Sequence, residues 1–171
     1  AYQFYNDIGF RLTEYTATDG SDEMWGVWLK RKNNTQDVVY SNGAGPRLHH
    51  IAFHTPEIAS VIHGADVMAG LGLAATMDRP PARHGIGNAF FAYYRDPDGH
   101  RVETFTSHYN VIDSDHTPTR WDLSDTRRSQ IWGFPAPRKW FYEATEFENT
   151  TVKPPLLDAP PFTLEDFLEG F

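Results

Sequence analysis

The chain passes twice through one succession of local signals, and that repetition narrows its fold more than any other feature. Asn6-Asp7-Ile8-Gly9-Phe10-Arg11-Leu12-Thr13 and Met68-Ala69-Gly70-Leu71-Gly72-Leu73-Ala74-Ala75 each read as a helix end, a glycine that closes it, and an apolar strand start. Before the first glycine, Tyr2, Phe4, Tyr5 and Ile8 sit mostly at helical spacing. After it, strands are expected over 11–18, 24–30 and 37–40, with a polar turn at 19–22 and a closing loop at 42–46. The second pass predicts a strand over 48–55, a helix from Pro56 and Glu57 to about Leu71, and a strand over 73–77. A loop rich in Pro, Gly and Arg follows, then a hairpin pairing 89–95 with 101–106 through Asp96-Pro97-Asp98-Gly99. The simplest organisation is an α+β fold of two βαβββ units side by side, the first without its leading strand. The opening at Ala1 therefore reads as part-way into a structural unit.

Composition closes off several classes of function. With no cysteine, disulfides, zinc ribbons and thiolate catalysis are excluded, and any metal site must be built from imidazole and carboxylate. That donor set leans toward iron, manganese or catalytic zinc. A formal net charge of −8 without a basic stripe argues against nucleic acid or an anionic membrane as partner. No apolar run is long enough to span a bilayer and no signal peptide is visible, so a cytoplasmic protein is the expectation.

Past Tyr109 the sequence reads as polar and irregular, with Arg127 and Arg128 among Trp121, Trp132 and Trp140. Pro154-Pro155 and Pro160-Pro161 precede Thr163, which with Asp166 has capping-box spacing. Leu164, Phe167, Leu168 and Phe171 share one helical face, which predicts a short helix docked on the body or on a neighbouring subunit. Residues 1–106 are thus expected to form the two-unit catalytic part, and 107–171 an extension covering its site.

Of the eight histidines, His49 and His50 attract attention first. Alternation along a strand puts Leu48, His50, Ala52 and His54 on one face and His49, Ile51 and Phe53 on the other. A lone histidine there is more often a hydrogen-bonded structural residue than a ligand. Glu103 shifts that balance. It lies among Val102, Thr104 and Phe105, and a carboxylate in an apolar strand is costly unless it is paired, hydrogen-bonded or bound to metal. One histidine and one glutamate from separate strands can supply two ligands of a 2-His-1-carboxylate face, which leaves open positions for substrate and O2. His63, His108 and His116 read as solvent or loop residues. His54 reads as structural, and His100 and Arg101 as partners of nearby acids.

Three segments in order, His49-His50-Ile51-Ala52-Phe53, Arg83-His84-Gly85-Ile86-Gly87-Asn88-Ala89-Phe90 and Asp96-Pro97-Asp98-Gly99-His100-Arg101-Val102-Glu103, resemble the type I extradiol dioxygenases, especially those acting on homoprotocatechuate. The resemblance runs from Tyr5 to about Tyr142. It implies a vicinal oxygen chelate (glyoxalase-like) fold, with paired βαβββ modules forming a half-open barrel around Fe(II), or alternatively Mn(II). It implies that His50 and Glu103 ligate the metal, with a further histidine expected upstream of residue 1. His84 and Tyr93 match catalytic positions near the substrate oxygens. Arg79, Arg127 and Arg128 match arginines that bind a carboxylate side chain of the catechol. Partners implied are a catechol, O2 and further copies of the chain in a homo-oligomer. Two positions depart from the pattern. Gln36 stands where the family places a histidine acid/base, and an amide can donate a hydrogen bond without exchanging a proton near neutral pH. Phe105 stands where a tyrosine hydroxyl is expected. A glyoxalase-like isomerase and a non-catalytic module binding an aromatic ligand are the rival readings.

Overall fold

The computed structural model describes residues 1–156 and 162–170; Pro160-Pro161 and Phe171 lie outside the described residues. The first unit comprises α1 (Tyr2–Asp7), β1 (Arg11–Ala17), β2 (Met24–Lys30) and β3 (Val38–Ser41). After β4 (Arg47–Leu48), the second comprises β5 (Ile51–His54), α2 (Ile58–Gly70), β6 (Met77–Arg83), β7 (Phe90–Arg95) and β8 (Arg101–Thr106). Beyond it come β9 (Thr119–Asp122), α3 (Lys139–Tyr142), β10 (Thr145–Glu146) and α4 (Leu164–Leu168). Gly9 and Gly72 carry φ of +97° and +75°, the left-handed backbone that closes a helix at both repeats.

The second unit forms a four-stranded sheet in the order β5-β8-β7-β6, with β5 parallel to β8 and the rest antiparallel. The first unit gives β3-β2-β1. It repeats the second without a counterpart of β5, so the outer edge of β3 carries no strand among the described residues. β9 completes that sheet by pairing in parallel with β1.

Three features depart from the sequence reading. Residues expected as a strand at 73–77 form a tight turn over Ala74–Thr76, and β6 starts at Met77 and runs through Pro80-Pro81 to Arg83. A strand holding two prolines survives because β6 is an edge strand, and its register slips between Arg79 and Ala82. Strand β9 lies in sequence expected to be irregular, because its partner β1 is about a hundred residues away and leaves no local signature. The strand expected over 48–55 is broken. β4 pairs with β10 and β5 with β8, so His49 and His50 lie between strands of different sheets. Alternation therefore does not separate their rings.

Strand β7 is buried on both faces. Phe90, Ala92 and Tyr94 pack with Val61 beneath α2, while Phe91 and Tyr93 pack with Ala82, Ala136 and Trp140. Through Ala136 and Trp140 the second group joins the segment beyond β9 to the sheet and floors the site described below. α4 docks on the body of its own chain: Leu164 N–H donates to the Ala136 carbonyl at 2.9 Å, and Phe167 meets Phe134 edge to face. Its capping box forms as expected.

Asp78 anchors the same region. Its Oδ2 lies 2.7 Å from Arg101 Nε and 3.0 Å from Arg95 Nη2, and Lys139 Nζ lies 3.6 Å from Oδ1. Burial pushes the Asp78 carboxyl upward, but the Arg101 and Arg95 guanidiniums outweigh it and hold the group below the usual aspartate value. A carboxyl more acidic when folded stabilises the fold above its unfolded value near 4, and that contribution is lost as pH falls toward the folded value. Thermal midpoints recorded from pH 7 down to 3 are therefore expected to fall steeply at the acid end. Asp78→Asn should flatten that limb and lower neutral stability by about 3 kcal/mol, since it leaves the buried Arg101 guanidinium without its ion pair. An unchanged acid limb would remove Asp78 from the account.

Candidate metal site

The site is assembled across three neighbouring strands. Arg79 on β6 is in register with Tyr93 on β7, and Tyr93 with Glu103 on β8, so the three side chains form one row across the sheet. On the far side of β8, Ala52 of β5 pairs with Glu103, which brings the segment before β5 over the carboxylate. His50 Nε2 lies 3.3 Å from Glu103 Oε2. His84 Nε2 lies 4.0 Å from Glu103 Oε1 and 3.2 Å from the Tyr93 hydroxyl. All of these are buried or half-buried, Glu103 to 6% exposure.

His84 is fixed from two directions. Its ring stacks on Phe91 with centroids 3.8 Å apart, and its Nδ1 donates to the Ser129 carbonyl. Burial, reinforced by the Arg79 charge, pushes His84 down to about 4, so it is a neutral ring with its lone pair on Nε2. Burial raises the Tyr93 phenol, and the Glu103 charge raises it further, so Tyr93 keeps its proton. Burial works to raise the Glu103 carboxyl, but its hydrogen bonds with His50 and Tyr93 outweigh that and hold it below the ordinary value.

Arg79, 3% exposed, lies 4.6 Å from the Phe91 ring centroid and 5.1 Å from that of Trp140. Its Nη2 reaches Gln130 Oε1 at 3.5 Å. Gln36 takes a hydrogen bond from the Thr35 hydroxyl and lies against Gly87, where an added Cβ would sit 3.3 Å from its Oε1. It thus borders the loop that carries His84. Arg127 is mostly exposed and doubly bonded to Asp125, at 2.9 and 2.7 Å. Arg128 donates to the Leu123 carbonyl at 3.2 Å. Neither is hydrogen-bonded or ion-paired to the His50–Glu103 group. Phe105 packs against the rings of His54 and His108. Among the described residues, no three His, Asp or Glu side chains gather as a ligand set.

Residues 1–104 match the family model of the Glyoxalase/Bleomycin resistance protein/Dioxygenase superfamily. The chain belongs to this superfamily. Among curated relatives, it is 31% identical over 131 residues to a manganese-dependent 2,3-dihydroxybiphenyl 1,2-dioxygenase of Geobacillus genomosp. 3, covering 74% of this chain and 41% of that protein. It is 27% identical over 160 residues to a metapyrocatechase of Geobacillus stearothermophilus, covering 90% of this chain and 48% of that protein. A histidine-to-glutamine variant of homoprotocatechuate 2,3-dioxygenase from B. fuscum superposes with a TM-score of 0.86 at 34% identity, over 92% of this chain and 45% of that one. The same enzyme in complex with 3,4-dihydroxyphenylacetate gives 0.80 at 38% identity, over 84% and 45%. The chain thus spans rather less than half the length of these relatives. The expected glyoxalase-like fold and the extradiol resemblance are both borne out.

In this superfamily member, three residues of the site escaped the sequence reading. Trp140 lies edge-on to Tyr93 and His49, with centroids 4.5 and 4.6 Å away. His49 is not on an opposite face, since its Nδ1 is 2.7 Å from that of His50. Burial, with His50 and Arg101 adding to it, pushes His49 down to about 3. Glu14 on β1 is 1% exposed and accepts from Gly87 N–H at 2.7 Å, from Trp121 Nε1 at 2.6 Å and from the Tyr109 hydroxyl. A carboxylate amid Leu12, Thr13 and Tyr15 was the same signal that singled out Glu103.

Proposed function

We propose that this chain supplies the catalytic half of an extradiol dioxygenase that inserts O2 into a catechol bearing a carboxylate side chain, such as homoprotocatechuate. The observation that carries the reading is the approach of His50 Nε2 to Glu103 Oε2 within a buried group that also holds His84 and Tyr93. Imidazole and carboxylate, with no thiolate in the chain, fit Fe(II) and equally Mn(II). His50 and Glu103 would hold the ion as two members of a facial triad. An ion held there would supply Lewis-acid and redox chemistry toward a diol and O2.

The chain's own residues define the rest. Tyr93 keeps its phenolic proton and offers a hydrogen bond to a catechol oxygen at the Glu103 end of the row. His84, neutral with a bare Nε2, can accept a proton there and return it. Gln36, whose Oε1 accepts from the Thr35 hydroxyl, has its amide N–H to offer as a donor beside the Gly87 loop and leaves proton exchange to His84. Arg79 is the guanidinium within the row and is suited to a carboxylate. Arg127 and Arg128 belong to the same reading as outer carboxylate partners, Arg127 by leaving Asp125. Trp140 and the Ser129 carbonyl, from the segment beyond the second sheet, back Tyr93 and His84 and exclude water on that side. The enzyme is read as a cytoplasmic homo-oligomer; no helix of the described residues is long and apolar enough to cross a membrane.

The full-length gene product, loaded with Fe(II) or Mn(II) and given homoprotocatechuate in air, is expected to consume O2 and form a yellow ring-opened product. Catechol binding without O2 uptake would favour the binding-module reading. Turnover of a methylglyoxal–thiol adduct instead would favour an isomerase.

A further inference from the structure

The tandem histidines carry more than one ligand. His49 Nε2 lies 3.1 Å from the Trp140 carbonyl oxygen, which can only accept, so that nitrogen bears the proton. A neutral imidazole has one N–H, and the other nitrogen of His49, Nδ1, is therefore a lone pair. It faces His50 Nδ1 at 2.7 Å, and the hydrogen shared by two nitrogens at that distance must come from His50. With its Nδ1 committed as donor, His50 presents its Nε2 to Glu103 Oε2, 3.3 Å away.

The opposite polarity would need a doubly protonated His49. Its surroundings oppose that charge. Arg101, fully buried, donates from Nη1 to the His49 carbonyl at 3.2 Å, and its guanidinium sits 4.1 Å over the Trp140 ring that His49 also touches. Neighbouring rings also restrain the His49 plane, with Trp140 4.6 Å and His50 5.0 Å away, both edge to face.

We infer that His49 is a positioning residue, a link between the Trp140 carbonyl and His50 that fixes the His50 tautomer and turns its Nε2 lone pair toward a divalent cation at Glu103. A cation there would take the place of the hydrogen that His50 Nε2 and the Glu103 carboxylate share at 3.3 Å. Partners on the far nitrogen of a ligating histidine orient the ring and raise its basicity. Here the partner is the preceding residue rather than a carboxylate. The inference rests on the metal-site reading above.

The metal-free gene product titrated with Zn(II) against a competing chelator tests both. Wild type is expected to bind and His50→Ala to bind far more weakly. His49→Phe, which keeps a ring but no acceptor, should weaken binding by about 10–100-fold. His49→Asn, whose amide oxygen replaces Nδ1, should recover most of that loss. Nitrogen-15 shifts of the rings should show His49 protonated at Nε2 and bare at Nδ1. A His49→Phe protein that melts like wild type and binds Zn(II) as tightly would overturn the inference, as would a proton on His49 Nδ1. Equal binding by wild type and His50→Ala would instead sink the metal site itself, and the inference with it.

Discussion

Glu14→Ala is expected to cost about 4 kcal/mol of folding stability and to loosen the loop that carries His84. The Glu14 side chain is fully enclosed and accepts from three donors belonging to two other parts of the chain: Gly87 in the His84 loop, and Tyr109 and Trp121 beyond the second sheet. Truncation takes the acceptor from one buried and two part-buried donors, each costing roughly 1–3 kcal/mol, with partial relaxation keeping the total below the sum. Other ties on that loop include the Gly85 N–H to Arg127 carbonyl bond at 3.0 Å, the Tyr109 N–H to Gly87 carbonyl bond at 3.4 Å and the bond from His84 to the Ser129 carbonyl, none of which reaches β1. Urea melts followed by circular dichroism give the stability change, and amide exchange at Gly87 should accelerate ahead of the sheets. Glu14→Gln keeps one acceptor oxygen but turns an amide N–H toward a donor, so it should fall between the two, near 2 kcal/mol. A Glu14→Ala protein within about 1 kcal/mol of wild type would show that the carboxylate does not tie the units together.

Glu14 also marks how far the sequence could be read. What is locally encoded was legible. Gly9 and Gly72 announced the repeat, and Asp96-Pro97-Asp98-Gly99 announced the hairpin that places Tyr93 opposite Glu103. What depends on a distant partner was not. Strand β9 is a strand because β1 lies beside it, and β6 tolerates Pro80-Pro81 because no strand pairs with its outer edge there among the described residues, the one bridge on that side falling at Arg83. Alternation misled at His49 and His50 because it assumes one continuous strand, whereas the chain changes sheets between Leu48 and Ile51. That His50 and Glu103 meet is invisible to any local pattern, since their approach follows from the parallel pairing of β5 with β8. Family resemblance supplied it. Resemblance alone did not show that Arg79 is enclosed by Phe91 and Trp140 while Arg127 turns outward to Asp125, because side-chain exposure follows from residues that arrive only with the fold.

Glu103→Gln is expected to abolish function while leaving the fold nearly untouched. The amide matches the carboxylate in shape and can still meet His50, His84 and the Tyr93 hydroxyl, so the row from Arg79 to position 103 keeps its packing. What disappears is the anionic donor. A divalent ion that needs a carboxylate beside imidazole loses its charge partner, and affinity should fall by at least about 100-fold, beyond the effect of removing an outer-shell partner. Ring cleavage measured by O2 uptake should fall by roughly 1000-fold or more, since a site without metal cannot bind the diol through it. Metal content by elemental analysis, read beside the thermal midpoint, separates this variant from Glu14→Ala. The first should lose metal at unchanged midpoint, and the second should lose stability whether or not metal is present. If Glu103→Gln kept wild-type iron or manganese content and wild-type O2 uptake, the approach of His50 to Glu103 would be an ordinary buried hydrogen bond, and the dioxygenase reading would lose the observation on which it stands.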